Sequence, residues 1–433
     1  MKRSKVLISG AGIAGNALAF WLSKLGHEIT VIERSPQLRT SGLQIDLRGH
    51  GIQLLRRMGL ESAFRAKAVP ELGMQVVDSA GRRQAFFPAT KTRSGAQSFT
   101  SDFEIMRGDL CRLLYDAIPK ERVKYIFGTS VETFEEQGDA LQVRFTNGDV
   151  DEFDILVGAD GLHSRTRAMM MLQGADGKDA FRPLGEYTAY YTIPRPVAQG
   201  EEYVATSYIA PGNRFVLTRR NDPNRIQVYM TGKAVTERLD SVKRGDVRGE
   251  KKVFVDVFWG AGWEVDGILQ SLLETDDFYC ESQGLVKLDS WHKGRVVLLG
   301  DAACCPSAST GMGTTSAMVG AYILAGEIGR QLRSPGNQCQ EGVTEATVWH
   351  EAAFQAYDSK FRPFIDQIQK GVGEPSVFDK IPWSPLTIGA AHWVLWFVSC
   401  LRLDLFEGLL SDQPVKGWEL PEYESFQTGH KEP

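Results

Sequence analysis

Three glycines, Gly10, Gly12 and Gly15, placed between an apolar run and a helical pattern, limit this chain more than any other feature. Val6-Leu7-Ile8 reads as a strand buried on both faces. Gly10 permits a tight turn, Gly12 lets backbone approach a pyrophosphate, and Gly15 lets the next helix pack close to the strand. Ala14, Ala17, Leu18, Trp21 and Leu22 recur at helical spacing. The N-terminal N–H groups and dipole of that helix suit phosphate. Gly26 stops the helix, and a second strand, Glu28–Ile32, runs into Glu33. Glu33 falls where an acid takes a ribose hydroxyl, about 20 residues past the glycines. Gly10, Gly12, Ala14, Gly15 and Glu33 are therefore candidate cofactor-binding residues of a dinucleotide site. A glycine-rich structural turn alone leaves Glu33 unexplained.

The 433 residues exceed one compact core, so two domains or one with large insertions are expected. A net charge of −5 argues against nucleic acid as a partner. The six cysteines (Cys111, Cys280, Cys304, Cys305, Cys339, Cys400) form no C-x-x-C and no zinc spacing. They read as reduced thiols of a cytoplasmic protein, with no metal site. No secretory signal precedes the first strand. Leu386–Leu401 is apolar but, at 16 residues, shorter than the roughly 20 that span a bilayer. A buried or interfacial helix is expected there, with no transmembrane span. Peripheral membrane contact through 386–401 is the lesser alternative.

From about Arg182 the pattern turns β-rich, with runs at Tyr187–Ile193, Tyr203–Ile209, Phe215–Arg219 and Ile226–Tyr229. This predicts a mostly antiparallel sheet inserted into the nucleotide-binding domain. Val296–Leu299 then returns to the opening pattern, and long helices are expected over about 313–332 and 341–370. The predicted class is α/β. A discontinuous nucleotide-binding domain takes 1–75, 101–181 and 285–370. A β-rich domain takes 76–100 and 182–284, and a C-terminal helix and tail take 371–433.

Three segments end strands with a glycine and an acid: Gly10…Glu33, Asp160-Gly161 and Gly300-Asp301. Parallel strands that end together place such residues along one crevice. A nicotinamide dehydrogenase would need only the first, whereas an extended flavin dinucleotide would use all three.

The motifs GAGIAG at 10–15, GADGLHSRTR at 158–167 and GDAACCPSASTGMGTTSAMVGAYILAGE at 300–327 occur in that order. In this the chain resembles the class A flavoprotein monooxygenases, the family of para-hydroxybenzoate and salicylate hydroxylases. Gln44-Ile45-Asp46-Leu47, Glu104–Leu110 and the LPEY at 420–423 are similar to the tetracycline-inactivating subgroup and to hydroxylases of secondary metabolism. The resemblance implies a Rossmann-like, glutathione-reductase-type FAD-binding domain, an inserted β-rich substrate domain and a C-terminal helical segment. It implies FAD as cofactor and NADPH (or NADH) as electron donor, with O2 and a small molecule as reactants. It places Glu33 on the adenosine ribose and Arg34 beside the adenosine. Asp46 and Arg107 contact the flavin cofactor, Asp301 the ribityl or pyrophosphate region, and the backbone of Gly313-Thr314 the ring. Arg39 sits where the subgroup meets NADPH. Asp160 is shared between cofactor architecture and NADPH use, with a helix N-cap before Leu162–Ala168 as the alternative role.

The chain departs from the family pattern at Pro306, followed by Ser307-Ala308, at Met312, where Gln or Lys is frequent, and at Cys304, where His is frequent. Cys304 reads as a small packing residue. Thr188, Tyr190 and Thr192 share one face of an alternating strand; Tyr190 and Met312 are candidate substrate contacts. No catalytic base can be named.

The implied reaction inserts one atom of O2 through a flavin C4a-hydroperoxide into an aromatic or polyketide-like molecule, by hydroxylation or epoxidation. A flavin oxidase or reductase and a Baeyer–Villiger monooxygenase are alternatives on the same scaffold, and a prenyl-escort-like binding protein is a non-enzymatic one. A flavin halogenase would need W-x-W-x-I-P, which is absent.

Overall fold

The computed structural model describes residues 3–89, 100–172, 180–243, 245–333, 349–374, 381–401 and 415–427. Cys339 and the first turns of the helix expected from 341 lie outside the described residues.

A six-stranded sheet holds the nucleotide-binding half. Its order is His292–Lys293, Val296–Leu298, Ile155–Gly158, Lys5–Ser9, Glu28–Glu33 and Val123–Phe127. All neighbours are parallel except the short His292–Lys293 edge. Lys5–Ser9 lies between Ile155–Gly158 and Glu28–Glu33, with Leu7 level with both Leu156 and Thr30. Chain order reverses direction at this strand, and such a switch point opens a crevice beyond the strands' carboxyl ends. Val6, Leu7, Ile8, Leu156, Val157 and Val297 are fully buried, as strands covered on both faces require.

The glycine-loop helix, Ile13–Leu25, packs against the long helix Gly313–Gln331. Trp21 meets Tyr322 edge-on at 5.1 Å. The helix Trp349–Gln369 adds Tyr357, Phe361 and Phe364 to the same core. The tail returns to it: Leu420 and Tyr423 of the LPEY segment are buried. The Tyr423 hydroxyl donates to Glu327 Oε1 at 2.7 Å, and Lys360 pairs with the same oxygen.

The second large sheet has seven strands, in the order Tyr279–Val286, Phe181–Pro194, Arg225–Gly232, Arg214–Asp222, Ala205–Ala210, Gly73–Val77 and Arg83–Pro88. It is antiparallel except where Ala205–Ala210 runs parallel to Gly73–Val77. A division at 75/76 passes through the strand Gly73–Val77, which pairs as a unit with Ala205–Tyr208. On one face Ala189, Tyr191, Ile193, Val228 and Met230 are buried beneath Val247–Phe258 and Val265–Glu274. Thr188, Tyr190 and Thr192 share the opposite face, as strand alternation demands. A two-stranded ribbon, Gln44–Asp46 paired with Glu104–Met106, stands between the two large sheets.

The helix read over Leu162–Ala168 begins later and spans Arg165–Leu172. The apolar stretch near the C-terminus forms the helix Pro385–Cys400. It was expected to be buried or interfacial; much of its apolar surface is exposed, because only one side rests on the strand Arg83–Pro88.

Candidate flavin site and facing substrate sheet

The three strand-end motifs meet through main chain. Gly10 N–H donates to Ile32 O at 2.8 Å, Ala159 N–H to Ser9 O at 2.8 Å, and Leu299 N–H to Gly158 O at 2.9 Å. Gly10 takes φ +114°, and a Cβ there would lie 2.4 Å from Ala159 O. A Cβ on Gly15 would stand 1.9 Å from Gly10 O, so close packing of helix on loop requires glycine. Gly300 is wedged in the same way: its Cβ would fall 2.9 Å from Ala14 Cβ and 3.9 Å from Ala317 Cβ. The Gly300-Asp301 turn is thereby held between the starts of two long helices.

Both helix starts are open. Nothing lies within 4 Å of a Cβ built on Gly12 or on Gly313. Each leaves N-terminal N–H groups beside free space, the arrangement that accepts a phosphate. Thr314 stays partly exposed beside Gly313, whereas Met312 is buried at 2% exposure, so its side chain fills the loop rather than lining open space.

Glu33 Oε2 accepts from Ala11 N–H at 3.1 Å and Oε1 from Ser35 N–H at 3.0 Å. The carboxylate thus ties the second strand to the glycine loop and keeps lone pairs for a hydroxyl donor. Arg34 and Arg39 are exposed; Arg39 Nε donates to Ser41 Oγ at 3.4 Å. Asp160 is largely engaged by its own loop: it accepts from Ser164 Oγ at 2.5 Å, and from Thr166 N–H and Oγ1 at 3.0 Å each. These bonds cap the helix Arg165–Leu172.

Asp301 opens a short helix, Asp301–Cys304. Burial pushes its carboxyl above the usual range, opposed by the nearby Arg107 guanidinium. Arg107 starts the helix Arg107–Asp116, donates its N–H to Leu43 O at 3.1 Å, and lays its stem along Gly42. Asp46 accepts from Arg48 Nε at 2.5 Å and from Ser101 Oγ at 3.3 Å. Arg48 is a residue that sequence reasoning missed. Its N–H donates to Thr315 Oγ1 at 3.0 Å and its carbonyl accepts from the same hydroxyl at 3.2 Å. Arg48 therefore joins the ribbon to the start of Gly313–Gln331. Its place two residues after Asp46 was the available signal. Cys304 is buried, and its thiol is raised well above the ordinary value by that burial, as for an inert packing residue. Among the described residues no His, Cys, Asp and Glu cluster could hold a metal.

The ribbon faces the seven-stranded sheet directly. Gln44 N–H donates to Gln227 Oε1 at 2.9 Å, and Gln227 Nε2 approaches Met106 Sδ at 3.6 Å. On that sheet face three tyrosines gather. Tyr190 stacks on Tyr279 with centroids 5.0 Å apart and planes 19° apart, and Tyr229 meets Tyr190 edge-on at 5.6 Å. Gln283 Nε2 donates to the Tyr190 hydroxyl at 2.9 Å. Burial raises the hydroxyl pKa of all three, so at neutral pH they are hydrogen-bonding phenols and not bases. The Arg107 and Arg39 charges oppose that rise at Tyr279, without reversing it. Tyr229 was legible by parity, alternating with buried Val228 and Met230; Tyr279 had no local signal.

A family model described as FAD binding domain matches residues 3–339. The chain belongs to this FAD-binding family. It is similar to the FAD-dependent monooxygenase asL4 of Sarocladium schorii, with 47% identity over 427 residues, 98% of this chain and 99% of that one. It is similar to the flavin-dependent monooxygenase eupH of a Phoma species, with 41% identity over 377 residues, 84% and 85% of the two chains. Among solved structures it resembles the tetracycline destructase Tet(51), at TM-score 0.72 and 27% identity, covering 98% of this chain and 100% of that one. The class A flavin monooxygenase likeness drawn from the three motifs holds, and so does the α/β fold with its helical C-terminal segment.

The residues of this monooxygenase fit an extended FAD. Two open helix starts, a carboxylate at the end of the second strand and a partly buried Asp301 under the influence of Arg107 lie at the carboxyl end of the parallel sheet. When bound, FAD supplies the redox chemistry with oxygen. The protein's part is to hold the dinucleotide, orient the substrate and keep water out.

Proposed function

We propose that this chain is an FAD- and NAD(P)H-dependent monooxygenase that places one oxygen atom from O2 into an aromatic or polyketide-like small molecule, by hydroxylation or epoxidation, in secondary metabolism or antibiotic modification. The second oxygen atom leaves as water, and the nicotinamide supplies the two electrons. One observation carries the reading: a tyrosine-lined sheet face stands opposite the ribbon that bears Asp46 and leads into Arg107. Stacked and edge-on rings favour a flat, electron-rich substrate. Gln227, Gln283 and the phenols supply donors and acceptors that would orient its hydroxyls or carbonyls.

The residue roles follow in the same reading. Gly10, Gly12, Ala14 and Gly15 cradle the pyrophosphate, Glu33 and Arg34 the adenosine, and Asp46, Arg107, Asp301, Gly313 and Thr314 the flavin half. Arg39, exposed at the rim, meets NADPH. Asp160 supports the cleft through its helix cap. Tyr190 contacts substrate. Met312 acts through the shape of its loop, since it is buried. The tetracycline destructase likeness supports a polycyclic substrate class.

The test is NADPH consumption under air, with peroxide assayed, across phenolic and polyketide compounds. A compound that speeds NADPH oxidation while peroxide stays below turnover, with product heavier by one oxygen, supports the reading. Substrate-driven flavin reduction without oxygen would instead make the enzyme an oxidase. A ring-expanded ester or lactone would assign Baeyer–Villiger chemistry.

A further inference from the structure

Arg48 lies between the strand Gln44–Asp46 and the helix His50–Arg57, and the helix Gly313–Gln331 holds it there. Its N–H donates to Thr315 Oγ1 and its carbonyl accepts from the same hydroxyl. Thr315 is fully buried, and a Cβ on Gly51 would fall 2.9 Å from that Oγ1, so the clamp has little room to shift. The main chain of Arg48 is therefore fixed within one turn of the open helix start at Gly313.

The side chain is placed as firmly. Its Nε donates to Asp46 Oδ2 at 2.5 Å, and Asp46 is held in turn by Ser101 Oγ. A Cβ built on Gly311 would have, apart from its chain neighbours, only the Arg48 guanidinium within 4 Å, with Nε at 3.8 Å and Cζ at 3.9 Å. The turn that leads into Met312 and Gly313 thus meets the cation of this ion pair and not its carboxylate.

A guanidinium carries five N–H donors. Arg48 uses one of them: among the described residues no protein atom accepts from Nη1 or Nη2. Neither nitrogen is among the sealed, unpaired polar atoms, and the side chain keeps 14% exposure, so these donors open to accessible space. Other largely buried arginines spend theirs. Arg219, also 14% exposed, is shared by Glu71 and Glu104, and Arg167 donates to two carbonyls. Donors of a largely buried cation left without acceptors are costly. Their natural partner is a ligand that carries or gains negative charge.

Cofactor and substrate are the two ligands to weigh, and the anchoring of Arg48 favours the cofactor. It is tied to the helix Gly313–Gln331 and to the turn before it. The seven-stranded sheet meets the ribbon elsewhere, through Gln44 and Met106. Transfer of a hydride from NADPH to FAD moves two electrons and one proton, releases NADP+, and leaves one negative charge on the flavin ring. A fixed cation favours that form over the oxidised one.

We propose that Arg48 supplies a positive charge to the flavin site: its unspent donors serve the bound ring and stabilise the reduced cofactor over the oxidised one, with Asp46 as the orienting counter-charge. The assignment rests on the FAD reading above.

The test is the two-electron midpoint potential of the full-length, FAD-loaded protein, read by dye equilibration under nitrogen at one mildly alkaline pH. It needs neither substrate nor NADPH. Arg48→Gln should weaken binding of reduced relative to oxidised flavin at least about tenfold, a fall of about 30 mV. Arg48→Lys keeps the charge and should recover most of that fall. Asp46→Asn removes the counter-charge and should raise the potential. Opposite signs at the two members of one ion pair mark a charge effect, whereas a merely structural role would not produce them. Where Arg48→Gln does not retain FAD, Arg48→Lys and Asp46→Asn decide: potentials near wild type and raised, respectively, support the proposal, and both lowered or both unmoved overturn it. Arg48→Gln with full FAD and an unmoved potential also overturns it, as do shifts of Arg48→Gln and Asp46→Asn in the same direction. In those cases the wild type still binds FAD. Wild-type protein that purifies colourless and takes up no added FAD would instead sink the cofactor reading itself.

Discussion

Arg219 grips Glu71 with two parallel hydrogen bonds, Nε to Oε2 at 2.9 Å and Nη2 to Oε1 at 2.6 Å. The same Nη2 reaches Glu104, which also takes a hydrogen bond from Gln44. Glu71 and Glu104 are buried at 5% and 1% exposure, so two carboxylates share one guanidinium away from water. The cluster joins the strand Arg214–Asp222 to the ribbon that carries Asp46, and so links the substrate sheet to the cofactor side.

Replacing Arg219 by Met should therefore be severe. Removing one partner of a buried ion pair costs about 3–5 kcal/mol, because the other charge is left without compensation. Two carboxylates would be left here. Urea unfolding of the FAD-free protein measures it, and an unchanged midpoint would refute the account.

Glu104 gives a pH dependence with a definite sign. Burial is the largest influence and raises its carboxyl to about 7; Glu71 and Asp46 push the same way, and Arg219 opposes them. The folded state then holds a proton that the unfolded chain releases near 4.5. The contribution is fully present below about 4.5 and is lost as pH rises through about 7. Glu104→Gln keeps a neutral side chain at every pH. Its stability relative to wild type should climb from pH 4.5 to about 7 and then level off. Two-state unfolding at stepped pH reads the difference; a flat difference would remove Glu104 as the titrating group.

Two histidines act in the opposite direction. Burial lowers His27 and His350 to about 4 from 6.5. The unfolded chain binds these protons first, so their contribution is lost as pH falls from 6.5 toward 4. In the Glu104→Gln background, replacing His27 or His350 by Gln should flatten the rise of stability with pH over that window, read by unfolding at stepped pH.

Gly12 and Gly15 should separate binding from folding. A methyl on Gly12 meets nothing within 4 Å, so Gly12→Ala should fold normally and lose FAD affinity at least about tenfold, because the methyl takes the space left for phosphate. A methyl on Gly15 meets backbone at 1.9 Å, so Gly15→Ala should lose about 1–3 kcal/mol of stability even without cofactor. Flavin absorbance per chain and thermal unfolding of the apoprotein distinguish the two.

Asp301→Ala should purify without its yellow colour. The residue follows Gly300, which packs against Ala14 at the start of the glycine-loop helix, and its partly buried carboxyl feels the Arg107 guanidinium. Loss of flavin with unchanged far-ultraviolet circular dichroism is the expected result. Full flavin occupancy would remove Asp301 from the cofactor site.

The nucleotide-binding half was legible because its signals are local. Gly10, Gly12, Gly15 and Glu33 lie within one strand–helix–strand unit; Gly10 and Gly15 are required by close backbone packing, and Gly12 and Glu33 stand at fixed spacings from them. The parity of Thr188, Tyr190 and Thr192 was legible for the same reason, since side chains alternate along any strand. Tertiary structure alone decided the rest. Residues 71, 104 and 219 come from three separate segments, and no spacing rule relates them. Tyr279 reaches Tyr190 only because Tyr279–Val286 pairs beside Phe181–Pro194. Arg48 gained its role from a hydroxyl 267 residues away. The helix Pro385–Cys400 shows the limit most clearly. Composition determined that it is apolar all round, but whether each side meets protein depends on which strand lies beneath it, and only one side was given a strand.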